Sequence, residues 1–154
     1  RVVSPTLGIV RRSLKREEIS VGTIVVGYVP KPEGKAALLR GIDEAKLRNC
    51  RLVVVNSNRG GRDMDDEDSV QSQAELQEIE GQLEEAGVEF EVRQFVRGLE
   101  PAEDLIEIAT ETSAELIVIG LRRRTPLGKL ILGSNAQQVL LDSKCPVLAV
   151  KAAK

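Results

Sequence analysis

The spacing of apolar residues changes period along the chain. Four short runs, TIVVGYV (23–29), RLVVVNS (51–57), ELIVIG (115–120) and CPVLAV (145–150), are apolar almost without interruption. Runs of this length, rich in Val and Ile, predict buried strands. A fifth segment, VEFEVRQFV (88–96), alternates Val88, Phe90 and Val92 with polar residues. One of its faces is expected to be more exposed, which suits an edge strand. Between these runs the period is helical. Leu38, Ile42 and Ala45 align within 32–49, and Leu76, Ile79, Leu83 and Ala86 within 70–86. Leu105, Ile108 and Ala109 align within 101–112, where Pro101 suits a first helical turn. A last helix is predicted over 134–143, with Ser134 as its N-cap candidate.

Strand and helix therefore alternate strictly. The pattern predicts an α/β fold: a single open five-stranded parallel sheet with helices on both faces. Residues 21–154 form this one domain. Residues 1–20 have no place in the pattern, and their charge and terminal position predict a flexible or loosely packed arm. Strand order 3-2-1-4-5 fits, because the third strand reads as an edge. Ligands of open α/β sheets bind beyond the carboxyl ends of the strands, where the order reverses. That crevice falls between strands 1 and 4. The loops meeting there are GYVPKPEG (27–34) and GLRRRTPLGKLILGS (120–134).

The second loop has the chemistry of an anion site. Glycine permits positive φ and close backbone approach, and Gly133-Ser134 stands at a helix start, where free N–H groups favour phosphate. Ser134 can cap the helix or donate its hydroxyl to a phosphate oxygen. The plainer alternative is that Gly133 is only a turn and Ser134 only a cap. Gly128-Lys129 is not followed by Ser or Thr, so this is no Walker A loop. The first strand–helix turn also lacks the Gly-x-Gly-x-x-Gly dinucleotide fingerprint.

Composition narrows the chemistry. The chain of 154 residues contains no histidine, which excludes Ser-His-Asp and Cys-His catalysis and histidine metal sites. Aromatics are 2% and net charge is -2, so neither base stacking nor a global field points to nucleic acid or membrane. Cys50 and Cys145 lack zinc spacing and read as buried, inert thiols of a cytoplasmic protein. No run reads as a membrane span or a signal peptide. The acidic DMDDED (63–68) lacks the glycine and glutamate of an EF-hand loop and is expected to be a solvated loop. Arg11, Arg12, Lys15 and Arg16 are offset by Glu17 and Glu18, so the arm is expected to be solvated rather than bound to nucleic acid. No metal site is predicted. No residue reads as a dedicated base, and Glu33 has no evident partner, so no catalytic residue is assigned.

Four segments together resemble the universal stress protein family: IVVGYVPKPEGKAALLRGIDEA, VRGLEPAEDLIEIATETSAELIVIG, GKLILGSNAQQVLL and the closing CPVLAV. The resemblance runs from residue 22 to about 151. It implies the adenine nucleotide alpha hydrolase-like sheet, order 3-2-1-4-5, in a cytoplasmic stress-response protein. It also implies a homodimer paired through the last strand, here Pro146 to Val150. One branch of the family binds ATP through Gly-x2-Gly-x9-Gly-Ser/Thr; this chain has Gly120, then Arg123, then Gly133-Ser134. The binders also carry an aspartate just after strand 1, where this chain has Val29, followed by Pro30. The arginines of 122–124 could replace a backbone cradle with a side-chain clamp. The nucleotide site implied for this chain comprises Val29, Pro30, Val55, Ile119, Gly120, Arg122, Arg123, Arg124, Gly133, Ser134 and Asn135. Its ligand is expected to be ATP, with Mg, held without appreciable hydrolysis. The alternative is a family member without a nucleotide, acting as a dimeric interaction module.

Overall fold

The computed structural model describes residues 8–12, 22–57, 66–95, 100–122 and 132–152. In chain order the elements are β1 (Gly8–Arg12), β2 (Gly22–Tyr28), α1 (Pro32–Arg48), β3 (Cys50–Ser57), α2 (Asp66–Ala86), β4 (Phe90–Phe95), α3 (Pro101–Glu111), β5 (Leu116–Leu121), α4 (Ser134–Asp142) and β6 (Val147–Lys151). They form one sheet in the order β1-β4-β3-β2-β5-β6. The five strands β2 to β6 are parallel and take the expected order, 3-2-1-4-5 when counted among themselves.

The hydrophobic pattern assigns no element before residue 22, yet Gly8–Arg12 forms a strand. It pairs antiparallel with β4, from Gly8 opposite Phe95 to Arg12 opposite Glu91. Thus β4 bounds the parallel part of the sheet without being its free edge. The physical reason is that the outer side of β4 offers a row of unpaired N–H and C=O groups, which a nearby extended segment can satisfy. The remainder of the arm lies outside the described residues.

The strands are buried on both faces, as their continuous apolar runs require. Ile24, Val26, Leu52, Val54 and Val92 meet Leu38 and Ile42 of α1 and Leu76, Ile79 and Leu83 of α2. On the other face Val25, Val53, Val55, Ile117 and Ile119 meet Leu105, Ile108 and Ala109 of α3 and Val139 of α4. Pro32 and Pro101 occupy first turns, where the missing N–H costs nothing. Asn49 ends α1 in the left-handed region at φ 53, its N–H donating to the Ala45 carbonyl. The helix α2 begins at Asp66, four residues before the position expected from its apolar spacing.

The polar face of β4 is not exposed as its alternation suggests. Glu91 is 2% exposed. Its carboxylate accepts from Arg93 Nε at 2.6 Å and lies 3.7 Å from Arg51 Nη1. Arg93 also donates to Glu111 at the end of α3, at 2.8 Å. Paired charges can be buried where single ones cannot. The sequence pattern shows alternation but not this pairing.

A second charge cluster fastens α1. Glu44 accepts from Arg40 at 2.9 Å and from Arg48 at 3.0 Å, and Arg48 also approaches Glu115 at 3.4 Å. The hydrogen bond from Arg48 holds the Glu44 carboxyl below its ordinary range. A lowered folded-state pKa adds stability above the unfolded value, and this is lost as pH falls through the folded one. Urea midpoints should therefore drop on acidification from neutrality to below pH about 4. Glu44→Gln should lower the neutral midpoint and flatten that drop. A wild-type slope unchanged in the variant would remove Glu44 from the cause.

Two glycines give opposite expectations. A Cβ on Gly34 would overlap the backbone carbonyl of Val29, whereas one on Gly81, in the C-terminal half of α2, meets nothing within 4 Å. Gly81→Ala should stabilise the protein by about 0.5–1 kcal/mol, through helix propensity. Gly34→Ala should cost about 1–3 kcal/mol, by overpacking. Thermal melts of the two variants check the signs.

Candidate functional site

The strand order reverses at β2, whose neighbours are β3 on one side and β5 on the other. Beyond the carboxyl ends of β2 and β5 lies a cleft of about 210 Å³. Its floor is apolar: Val55 from β3, Leu105 from α3, Ile119 from β5 and Val139 from α4. Val29 stands at one side and is 36% exposed. Gly133, Ser134, Asn135 and Ala136 close another side, and Arg122 and Glu33 stand among the polar groups.

The frame of this cleft is backbone against backbone. A Cβ on Gly120 would overlap the Glu33 carbonyl, so the first turn of α1 lies directly on the end of β5. Glycine is required at 120 for that packing, which differs from the role expected for it beside a ligand. Nor does either loop glycine use the left-handed region. Gly133 has φ -68, and among the described residues Gly87 is the glycine with positive φ.

The start of α4 also differs from expectation. Gly133 is the N-cap and Ser134 the first helical residue, with no side-chain cap bond. The first intrahelical bond at this end runs from the Gln137 N–H to the Gly133 carbonyl, at 3.0 Å. The N–H groups of Ser134, Asn135 and Ala136 thus have no carbonyl partner within the helix. All three residues line the cleft, and the first turn of α4 contains no acidic residue. An uncapped helix start of this kind attracts anions. The Ser134 hydroxyl makes no cap bond and stands at the same helix start.

Arg122 and Glu33 form an ion pair across the cleft. Arg122 Nε lies 3.5 Å from Glu33 Oε1, with the two side chains 49% and 11% exposed. Glu33 therefore has a partner, contrary to the expectation from sequence. The two residues lie far apart in the chain, so only the β2–β5 adjacency brings them together.

Of the expected site residues, the structure gathers Val29, Val55, Ile119, Gly120, Arg122, Gly133, Ser134 and Asn135 around this cleft. Pro30 is exposed and does not line it. Arg123 and Arg124 lie outside the described residues. Sequence reasoning missed Glu33 as a paired group, and it missed Pro101, Ala102 and Leu105 of α3. The signal for the last three was present: α3 also starts at the carboxyl ends of the strands, where ligands of this architecture sit.

The other candidate groups stand apart from the cleft. Cys50 is buried, and desolvation pushes its thiol up to about 11. Cys145 is half-buried rather than buried, and desolvation raises its thiol as well. Both shifts disfavour the reactive thiolate. Of the acidic run 63–68, the first three residues lie outside the described residues, and Asp66, Glu67 and Asp68 begin α2. Among the described residues no helix is long and apolar enough to cross a membrane.

The sheet order and the cleft at its switch point define an open, doubly wound α/β domain. The model of the universal stress protein family matches residues 21–151, and the chain belongs to that family. It is 45% identical over 128 residues to a universal stress protein of Mycolicibacterium smegmatis, across 83% of this chain and 96% of the relative. It superposes with a TM-score of 0.69 on the universal stress protein of Archaeoglobus fulgidus solved in complex with dAMP, at 32% identity, covering 86% of this chain and 100% of that one. A universal stress protein solved in complex with cAMP is similar at a TM-score of 0.65 and 28% identity, over 88% of this chain and 100% of the other.

Proposed function

We propose that this protein binds an adenine nucleotide in the β2–β5 cleft. The observation that carries the reading is the start of α4: a run of N–H groups without a carbonyl partner within the helix, with Ser134 beside them, opening onto an apolar floor. The helix start suits a phosphate, and Val55, Leu105 and Ile119 suit a base. The complexes of two relatives with dAMP and cAMP support the same class of ligand. ATP with Mg belongs to that class and is included in the test. The protein acts as a binder rather than a hydrolase: the carboxylate at the cleft, Glu33, is engaged with Arg122 rather than poised as a base. Its two free thiols suit the reducing cytoplasm.

In the same reading the protein is a homodimer that pairs through β6, Pro146 to Val150. The outer side of β6 has no neighbouring strand among the described residues. Leu140 and Leu141 of α4, the helix leading into β6, are 41% and 82% exposed. An open parallel edge next to exposed leucines favours self-association.

Calorimetric titration of the purified protein with AMP, cAMP and ATP, the last with and without Mg, should give saturable binding in the micromolar to millimolar range. Gly133→Val should weaken it severalfold or more, because a branched side chain at the N-cap crowds the free N–H groups. Absence of heat with every nucleotide, and absence of nucleotide in the purified protein by mass spectrometry, would favour the ligand-free interaction module. Light scattering after gel filtration should give twice the mass of the 16.8 kDa chain. A single-chain mass at high concentration would exclude the dimer.

A further inference from the structure

The cleft holds a carboxylate beside its arginine. Arg122 brings one positive charge and Glu33 one negative, and the two face each other at 3.5 Å. Their sum is zero. The first turn of α3 already carries Glu103 and Asp104, which offset its macrodipole, while α4 has no acid in its first turn. Among the described groups of the cleft, the positive end of α4, equivalent to roughly half an elementary charge, thus stands beside a carboxylate that already engages the neighbouring arginine. Such a carboxylate opposes each further negative charge a ligand brings.

Glu33 is also poorly placed to move away. Its backbone abuts Gly120, and the next residue, Gly34, abuts the backbone of Val29. Its side chain is nearly buried, at 11% exposure, so its charge is weakly screened by solvent. An incoming phosphate must share or displace Arg122 and then lie beside a carboxylate whose backbone is held in place.

We infer that Glu33 is a specificity-determining residue that filters ligands by charge, so that the cleft selects singly phosphorylated nucleotides over di- and triphosphates. The inference rests on the nucleotide reading above and deepens it. The carboxylate acts in two ways. It occupies Arg122, and it repels each further negative charge the ligand carries. Both effects grow with ligand charge, unlike a steric limit, which grows with ligand length and is indifferent to the charge of Glu33.

The test titrates the full chain with AMP, ADP and ATP in the absence of divalent cations. Proteins compared are the wild type, Glu33→Gln, Arg122→Gln and the double variant, each shown to melt cooperatively. For the wild type, affinity should fall from AMP to ATP. Glu33→Gln should raise ATP affinity about tenfold and AMP affinity less than threefold, since repulsion scales with charge. The ATP gain should shrink in the Arg122→Gln background, because part of it comes from releasing Arg122. If Glu33→Gln does not fold, Glu33→Met removes the charge at similar length and should give the same order of gains. Equal gains across the three nucleotides, or none, would overturn the filter while leaving nucleotide binding intact. If neither wild type nor the folded variants bind any of the three, the nucleotide reading fails and the filter with it.

Discussion

Helix α1 lies so close to the sheet that three positions tolerate no side chain. A Cβ on Gly41 would collide with Val26, one on Gly34 with the Val29 carbonyl, and one on Gly120 with the Glu33 carbonyl. The first two glycines belong to the helix and the third to β5. Together they seat the helix along its length and fix its first turn against the end of the central strands. This seating brings Val29, Glu33, Gly120 and Arg122 together at the rim of the cleft. Packing of backbone on backbone leaves little room for adjustment. The site is therefore built on a rigid wall, and its chemistry depends on the few side chains projecting from that wall.

The chemistry at that wall is unusual in its balance. The start of α4 provides N–H groups without intrahelical partners, the apolar ends of β3 and β5 provide a floor, and among the described residues Arg122 is paired with Glu33. A glycine loop of the family pattern would bring backbone donors alone. Here Arg122 adds a side-chain donor, and Glu33 restrains it. Val29, where the nucleotide-binding branch of the family has an aspartate, makes that side of the cleft apolar. The next carboxylate, Glu33, lies four residues on, in the first turn of α1, and is paired with Arg122.

Much of this was legible in the sequence, for identifiable reasons. Continuous runs such as LIVIG announce strands buried on both faces, and Leu38, Ile42 and Ala45 announce the face of α1. The alternation of these signals leads to the parallel sheet and its switch point without reference to any contact. What was not legible depends on neighbours distant in sequence. The strand β1 exists because β4 offers an unpaired edge, and nothing in GIVRR signals that by itself. Burial of Glu91 depends on Arg51 and Arg93 meeting it. Gly120 reads identically whether a ligand or the backbone of Glu33 lies against it. The cap of α4 falls one residue from the serine that composition favours, because glycine serves as N-cap nearly as well.

The strand β1 alters what the two margins of the sheet can do. It covers β4 with a short antiparallel segment ending in Arg11-Arg12, while β6 at the far side remains a parallel strand with an open outer margin. Short, charged margins are poor templates for further pairing. A sheet with two equal open margins can add copies at both ends and grow without limit. Where one margin is a short, charged strand, pairing through the other margin would leave only that poor template at either end, which disfavours further growth. The segment Gly8–Arg12 thus bears on how the sheet ends as well as on its fold.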